Sequence, residues 1–122
     1  MIRPPIIVDA RGDVLLFRSV ERAEAYLEAV DVRNDEYAAA YDSEGRRLEL
    51  GTKVVERRVF LGLIRTKIDF ADVREADDEA SHAAELEQLL RTHLLKQGVD
   101  DPSHHSVSEL VAMVIDRQGF AA

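Results

Sequence analysis

The feature that most constrains this chain is a change of apolar period near residue 76. Before it, short apolar runs separated by turn residues read as strands; after it, apolar residues recur every three or four positions, the spacing of one helix face. A chain that switches once from strands to helices builds an antiparallel sheet and packs its late helices against that sheet.

In the first part, Ile6 to Asp9, the turn set Ala10-Arg11-Gly12-Asp13 and Val14 to Phe17 predict a β-hairpin, with Gly12 free to take positive φ. Ser19 is placed to cap a short helix whose apolar positions Val20, Ala23, Leu27 and Val30 fall three and four apart. Glu21 and Glu24 sit near the positive end of its dipole. A second hairpin is expected from Glu36 to Tyr41, through Asp42-Ser43-Glu44-Gly45, and back along Arg47 to Leu50, with Leu48 and Leu50 pointing the same way. The stretch Lys53 to Phe70, rich in β-branched and apolar residues, predicts one long strand or two shorter ones with Gly62 as a bend or bulge. Hairpins with one early helix predict a sheet covered on one face.

In the second part, Ala80, Ala83, Leu86, Leu90 and Leu94 form a helix stripe that begins within residues 77–81 and ends at Gly98, with Val99 closing on Leu94 in a Schellman geometry. Asp101-Pro102 breaks the chain. Ser106-Val107-Ser108-Glu109 is a capping box that opens a last helix through Leu110, Val111, Val114 and Ile115 to Gly119, where Phe120 covers Ile115. The expected fold class is therefore α+β: an antiparallel sheet built from hairpins, with one short helix near the N-terminus and two C-terminal helices packed on one face. Its 122 residues suffice for one hydrophobic core and not for two, so residues 1–122 are expected to form a single domain.

Charge is unevenly placed. Residues 1–67 hold 12 acidic and 12 basic side chains, whereas residues 68–122 hold 12 acidic against 4 basic, so the whole net charge of −8 lies in the second part. A negative surface repels phosphate backbones, which argues against nucleic acid and anionic membranes as partners and favours a basic protein surface. A solvated helical face that only keeps the chain dissolved has the same composition. The chain has no cysteine, which excludes disulfides and thiolate metal sites. The apolar run before Asp9 is only three residues long, Ile6-Ile7-Val8, and no apolar run approaches the roughly 20 residues of a membrane helix, so neither a signal core nor a span is expected and the expected location is cytoplasmic.

Catalytic and ligand motifs are missing. His82 and His93, eleven residues apart, stand about 16 Å apart along a helix axis, too far to share an ion. His104-His105 lies in a loop near Asp100 and Asp101 without a further histidine at ligand spacing; surface histidines are the simpler reading, and no metal is expected. No serine sits in G-x-S-x-G, and neither phosphate-binding glycine motif occurs, so no catalytic residues and no cofactor are assigned. The carboxylate run Asp77, Asp78, Glu79 reads as the acidic start of a helix. Arg46-Arg47 and Arg57-Arg58 read as exposed strand residues that blunt an edge or pair with neighbours, and Tyr37 and Tyr41 as packing on a sheet face.

The run Gly12-Asp13-Val14-Leu15-Leu16-Phe17, then Ser19-Val20-Glu21 with Ala23-Glu24-Ala25-Tyr26-Leu27-Glu28, Asp31-Val32, Glu36-Tyr37 and Tyr41-Asp42-Ser43-Glu44-Gly45-Arg46 before Leu48 and Leu50, resembles small bacterial immunity-type proteins encoded beside polymorphic toxins of the Rhs and type VI secretion kind. Ser81-His82-Ala83-Ala84-Glu85-Leu86 is a looser echo. The resemblance is one of whole pattern, covers residues 12 to 50, and transfers no active-site residue. It implies a non-enzymatic inhibitor that binds a cognate toxin stoichiometrically in bacterial competition. If the toxin is a nuclease with a cationic site, an acidic face would steer and plug it, with Asp77, Asp78, Glu79, Glu85, Glu87, Asp100 and Asp101 as candidate partner-binding residues. Two other readings stand beside it: a small regulatory or adaptor domain that recognises another basic protein, and a small hydrolase, which requires a cleft of convergent titratable groups.

Overall fold

The strand signals of the first part become five strands, and all of them are antiparallel to their neighbours: β1 (Ile6–Asp9), β2 (Val14–Phe17), β3 (Ala39–Tyr41), β4 (Arg47–Val59) and β5 (Ile64–Glu75), in the order β2-β1-β3-β4-β5. Among the described residues they are accompanied by the helices α1 (Val20–Tyr26), α2 (Ala83–Lys96) and α3 (Val107–Gln118). The computed structural model describes all residues except Met1, Gly12, residues 28–30 and 33–35, Phe60, Leu63, residues 77–80, Asp101, Ser103 and His104; for Val55 and residues 57–59 and 64–69 it describes the backbone alone. The fold is α+β, as the change of period predicts.

Alternation along each strand divides the apolar residues between two clusters. Ile7, Val14, Leu16 and Tyr41 face Leu86, Leu90 and Leu94 of α2 and Leu110, Val111 and Val114 of α3. Ile6, Val8, Phe17, Ala40, Leu48, Ala71 and Val73 face the opposite way, where Ala23 and Leu27 of α1 cover them. The register agrees: Ile7 lies between Leu16 and Tyr41, and Ala40 lies opposite Leu48. The two late helices do share one face. The expectation of a sheet covered on one face is corrected, because α1 takes the other face and β1 is buried on both sides.

Helix ends follow the local chemistry. Ser19 caps α1 by accepting the Arg22 N–H at 3.1 Å, and Ser106 caps α3 by accepting the Glu109 N–H at 3.3 Å, with its hydroxyl donating to Glu109 Oε1 at 3.1 Å. At the end of α2, Gly98 has φ +85° and Val99 N–H reaches the Leu94 carbonyl at 3.0 Å, the expected Schellman bond. The start of α2 differs from expectation. Ser81 forms an antiparallel bridge with Arg46 and the His82 N–H donates to the Gly45 carbonyl, so these residues belong to the sheet and the helix opens only at Ala83. Asp77 to Ala80 lie outside the described residues.

The largest departure concerns Lys53 to Phe70. Of the two expected readings, two strands are found, but they are longer than expected: they pair without a break from Leu48↔Glu75 to Val59↔Ile64, and Gly62 lies with Leu61 in the turn between them, both at positive φ, and not at a bend or bulge within a strand. The early hairpin likewise uses Arg11, at φ +49°, in its turn; Gly12 lies outside the described residues.

Candidate functional site

The candidate acidic face is only partly described, and its described members do not converge. Asp77, Asp78, Glu79 and Asp101 lie outside the described residues. Glu85 and Glu87 are in the first half of α2, and Asp100 follows its far end, so about 16 Å of helix axis, at 1.5 Å per residue, separates Glu85 from the end that Asp100 follows. Glu85 is already engaged: its Oε2 accepts from the Tyr41 hydroxyl at 3.1 Å and from Arg47 at 3.2 Å, and its Oε1 lies 3.1 Å from His82 Nδ1. These contacts hold the Glu85 carboxyl below the usual carboxylate range, the His82 hydrogen bond being the largest cause and the Tyr41 bond the next. Burial, reinforced by the Glu85 bond, pushes the Tyr41 phenol up to about 12. Glu87 pairs with Arg91 at 3.7 Å, one helix turn away. Asp100 stands exposed.

The histidines divide by burial. His105 pairs with Glu109 at 2.9 Å on the surface, whereas His93 is 8% exposed, which corrects the reading of surface histidines at that position. Gln118 Nε2 donates to the Val14 carbonyl at 2.7 Å, so its Oε1 must be the atom 2.7 Å from His93 Nε2, and His93 therefore carries a proton on Nε2. That bond ties α2 to α3 and to β2. Among the described residues no group of three or more histidines and carboxylates is placed to hold a metal ion.

A cleft of about 360 Å³ beside His93 brings together Asp9, Arg11, Asp13, Thr92 and Lys96. Both carboxylates are committed to backbone, Asp9 to the Arg11 N–H at 3.1 Å and Asp13 to the Val14 N–H at 2.9 Å. No serine is among its described lining residues, and Thr92 supplies its one aliphatic hydroxyl. Tyr37 and Tyr41 also part company. Tyr41 packs in the α2/α3 core and Tyr37, which precedes β3, against the α1 core.

What sequence reasoning missed is the ribbon. β3 pairs with β4 only at Tyr41↔Arg47 and Ala40↔Leu48, because β3 stays with β1, where Ala38 N–H donates to the Asp9 carbonyl at 2.7 Å. β4 and β5 continue without it. Six pairs, Val54↔Asp69 to Val59↔Ile64, project about 20 Å beyond the body at 3.3 Å per residue. The backbone register pairs Lys53 with Phe70, Val55 with Ile68, Arg57 with Thr66 and Val59 with Ile64. Five basic and two acidic residues give Thr52 to Ala71 a net +3, and the rest of the chain −11. At the tip Leu61 is 103% exposed, and along β4 Val54 is 60% exposed. The available signal was symmetry: strand-forming runs of nearly equal length flank Leu61-Gly62, too long for the body they leave.

Among the described residues no helix is long and apolar enough to cross a membrane. No protein-family model, no curated protein and no solved structure matches this chain.

Proposed function

We propose that this chain acts by stoichiometric binding of another protein, as an immunity protein that neutralises a cognate bacterial toxin. The observation that carries the reading is the ribbon: a two-stranded arm outside the three-layer body, tipped by a fully exposed leucine. A two-stranded ribbon is marginal in water without a surface to lie on, and apolar side chains offered this way mark a protein-recognition element. The pattern shared with immunity-type proteins maps onto the body that carries the arm. Within it Ser19 is a cap, Asp42 and Gly45 form a turn, and Leu48 and Leu50 belong to the α1 core.

Charge supplies the approach. The body's net −11 draws a basic toxin over about a Debye length, roughly 8 Å at physiological salt. The C-terminal acids, including Asp77, Asp78, Glu79, Asp100 and Asp101, act in that steering, while Glu85 and Glu87 contribute less because they are paired. The partner is a cytoplasmic toxin domain. The test is to express the toxin-like product of the neighbouring reading frame with wild-type chain, with Leu61→Asp, and alone. Growth rescue by wild type through a one-to-one complex, weakened by Leu61→Asp, is expected. Rescue without a complex, or toxicity untouched by the wild-type chain, overturns the reading.

A further inference from the structure

The cleft beside His93 is a feature that the toxin reading leaves unused. One stripe of α2 lines it: Leu89, Thr92, His93 and Lys96 recur at the three- and four-residue spacing of one helix face. The β1–β2 turn supplies Asp9, Arg11 and Asp13, and Ala38 adds apolar surface to that of Leu89. At about 360 Å³ the cleft falls within the range of small-ligand sites, roughly 300–1,000 Å³. Its polar groups keep unspent hydrogen-bonding capacity. The His93 Nε2 proton goes to Gln118, which leaves Nδ1 of the neutral ring as a lone-pair acceptor. Among the described residues, Arg91 Nε is the buried side-chain atom that lacks both a partner and contact with water. His93 Nδ1, which makes no hydrogen bond, is therefore open to water, and this cleft is where the largely buried His93 reaches it. Asp9 and Asp13 each spend Oδ1 on a backbone N–H and keep Oδ2 as an acceptor. The donors come from α2. Thr92 accepts from Gln88 Nε2 at 3.3 Å and keeps its own hydroxyl proton, and Lys96, one turn further on, makes no ion pair among the described residues.

We propose that this cleft binds a free α-amino acid with an aliphatic side chain, its ammonium held by Asp9, Asp13 and His93 Nδ1 and its carboxylate by Lys96 and Thr92. Charge selects the class. The carboxylates of Asp9 and Asp13 repel a simple anion, and Arg11 and Lys96 repel a simple cation, whereas a zwitterion meets an opposite charge at each end. A primary ammonium carries three N–H donors, and the cleft offers three acceptors, one of them a neutral nitrogen that adds no further negative charge. Charge-assisted bonds of this kind are the strong ones, and the partly enclosed position of His93 strengthens them further. Ala38 and Leu89 leave an apolar place for the side chain. The site uses the body alone and stands independently of the ribbon and of the toxin reading.

The test is calorimetric titration of the full chain with L-leucine, with leucinamide, which lacks the carboxylate, and with 4-methylpentanoate, which lacks the ammonium. Leucine should bind at one site per chain with a Kd of about 1 mM or tighter, and each analogue about tenfold or more weaker. Lys96→Met should weaken leucine by about tenfold and leave leucinamide unchanged, because only leucine presents a carboxylate to that position. Asp13→Asn keeps an oxygen for the Val14 N–H and removes the charge, so it should weaken leucine and leamide alike without weakening 4-methylpentanoate. Both residues are exposed, so the far-UV dichroism of each variant should match wild type. In nitrogen-15 spectra, leucine should shift the His93 Nδ1 resonance and leave Nε2 in place, since Nε2 stays with Gln118. Three results each overturn the proposal: no saturable binding of leucine at tenfold that concentration, equal affinity for leucine and both analogues, or leucine binding indifferent to both substitutions.

Discussion

The Tyr41 hydroxyl donates to the Glu85 carboxylate at 3.1 Å, joining β3 to the first turn of α2 across 44 residues of chain. Both groups titrate away from their ordinary values, and the signs oppose. Glu85 is depressed in the folded state, so its contribution is complete above the unfolded value of 4.5 and is lost as pH falls through that value and the folded one. Glu85→Gln should therefore flatten the acid side of the stability profile. Tyr41 is raised, so the folded state gains below 10.0 and loses that gain as pH rises through about 12. Absorbance at 295 nm should show one tyrosinate step near pH 12 that Tyr41→Phe removes. A chain in which all three tyrosines ionise near the ordinary value of about 10 contradicts this bond.

Asp42 is fully buried at the β3–β4 turn and accepts three backbone N–H groups: Arg3 at 3.2 Å, Glu44 at 2.9 Å and Arg46 at 2.9 Å. Asp42→Ala strands these donors. At roughly 1–3 kcal/mol for each buried group left without a partner, and with some relaxation, a loss of about 3–5 kcal/mol is expected, read as a fall in urea midpoint at constant slope. Asp42→Asn keeps one acceptor oxygen but turns an N–H₂ toward a donor, and should fall between wild type and alanine.

Gly45 and Gly98 separate backbone strain from close packing. Their φ values are +81° and +85°, so alanine pays the same left-handed penalty at both, about 1–2 kcal/mol. A Cβ at Gly98 meets nothing within 4 Å, whereas one at Gly45 comes 2.6 Å from the Ala83 Cα, where the turn rests on the start of α2. Gly45→Ala should therefore cost at least about 1–3 kcal/mol more than Gly98→Ala, the range for overpacking a tight contact. Equal losses in denaturant unfolding would place the whole effect in φ.

Local chemistry was legible where one residue settles the matter. Ser19, Ser106 and Gly98 cap or close their helices as their types and spacings predict, because each satisfies end groups of its own helix. Leu48 and Leu50 share a face because strand alternation admits no other outcome. What failed depends on distant partners. The start of α2 moved to Ala83 because Gly45 and Arg46 hold His82 and Ser81, and no pattern within residues 77–83 encodes that bond. α1 crosses to the opposite face because Glu24 finds the Val73 N–H, 49 residues away. Glu85 read as a free surface acid because its partners, Tyr41 and Arg47, lie on strands. Gly62 misled for a different reason: a glycine that ends one strand and a glycine that bends one look alike until the register of the flanking strands is known.

Leu61 is the residue at which stability and function should separate. It holds φ +56° beside Gly62 at +84°, the pair of positive values that a two-residue hairpin turn demands and that asparagine before glycine meets with least strain. Leucine there costs about 1 kcal/mol relative to asparagine and, fully exposed, returns no packing to the fold. Leu61→Asn should therefore slow amide exchange in the distal ribbon about fivefold, the factor that corresponds to roughly 1 kcal/mol. If the strained leucine is kept for contact with the toxin, the same change should weaken the complex while it steadies the arm. A variant with a steadier arm and unaltered affinity would make Leu61 a turn residue alone and remove the tip from the binding surface.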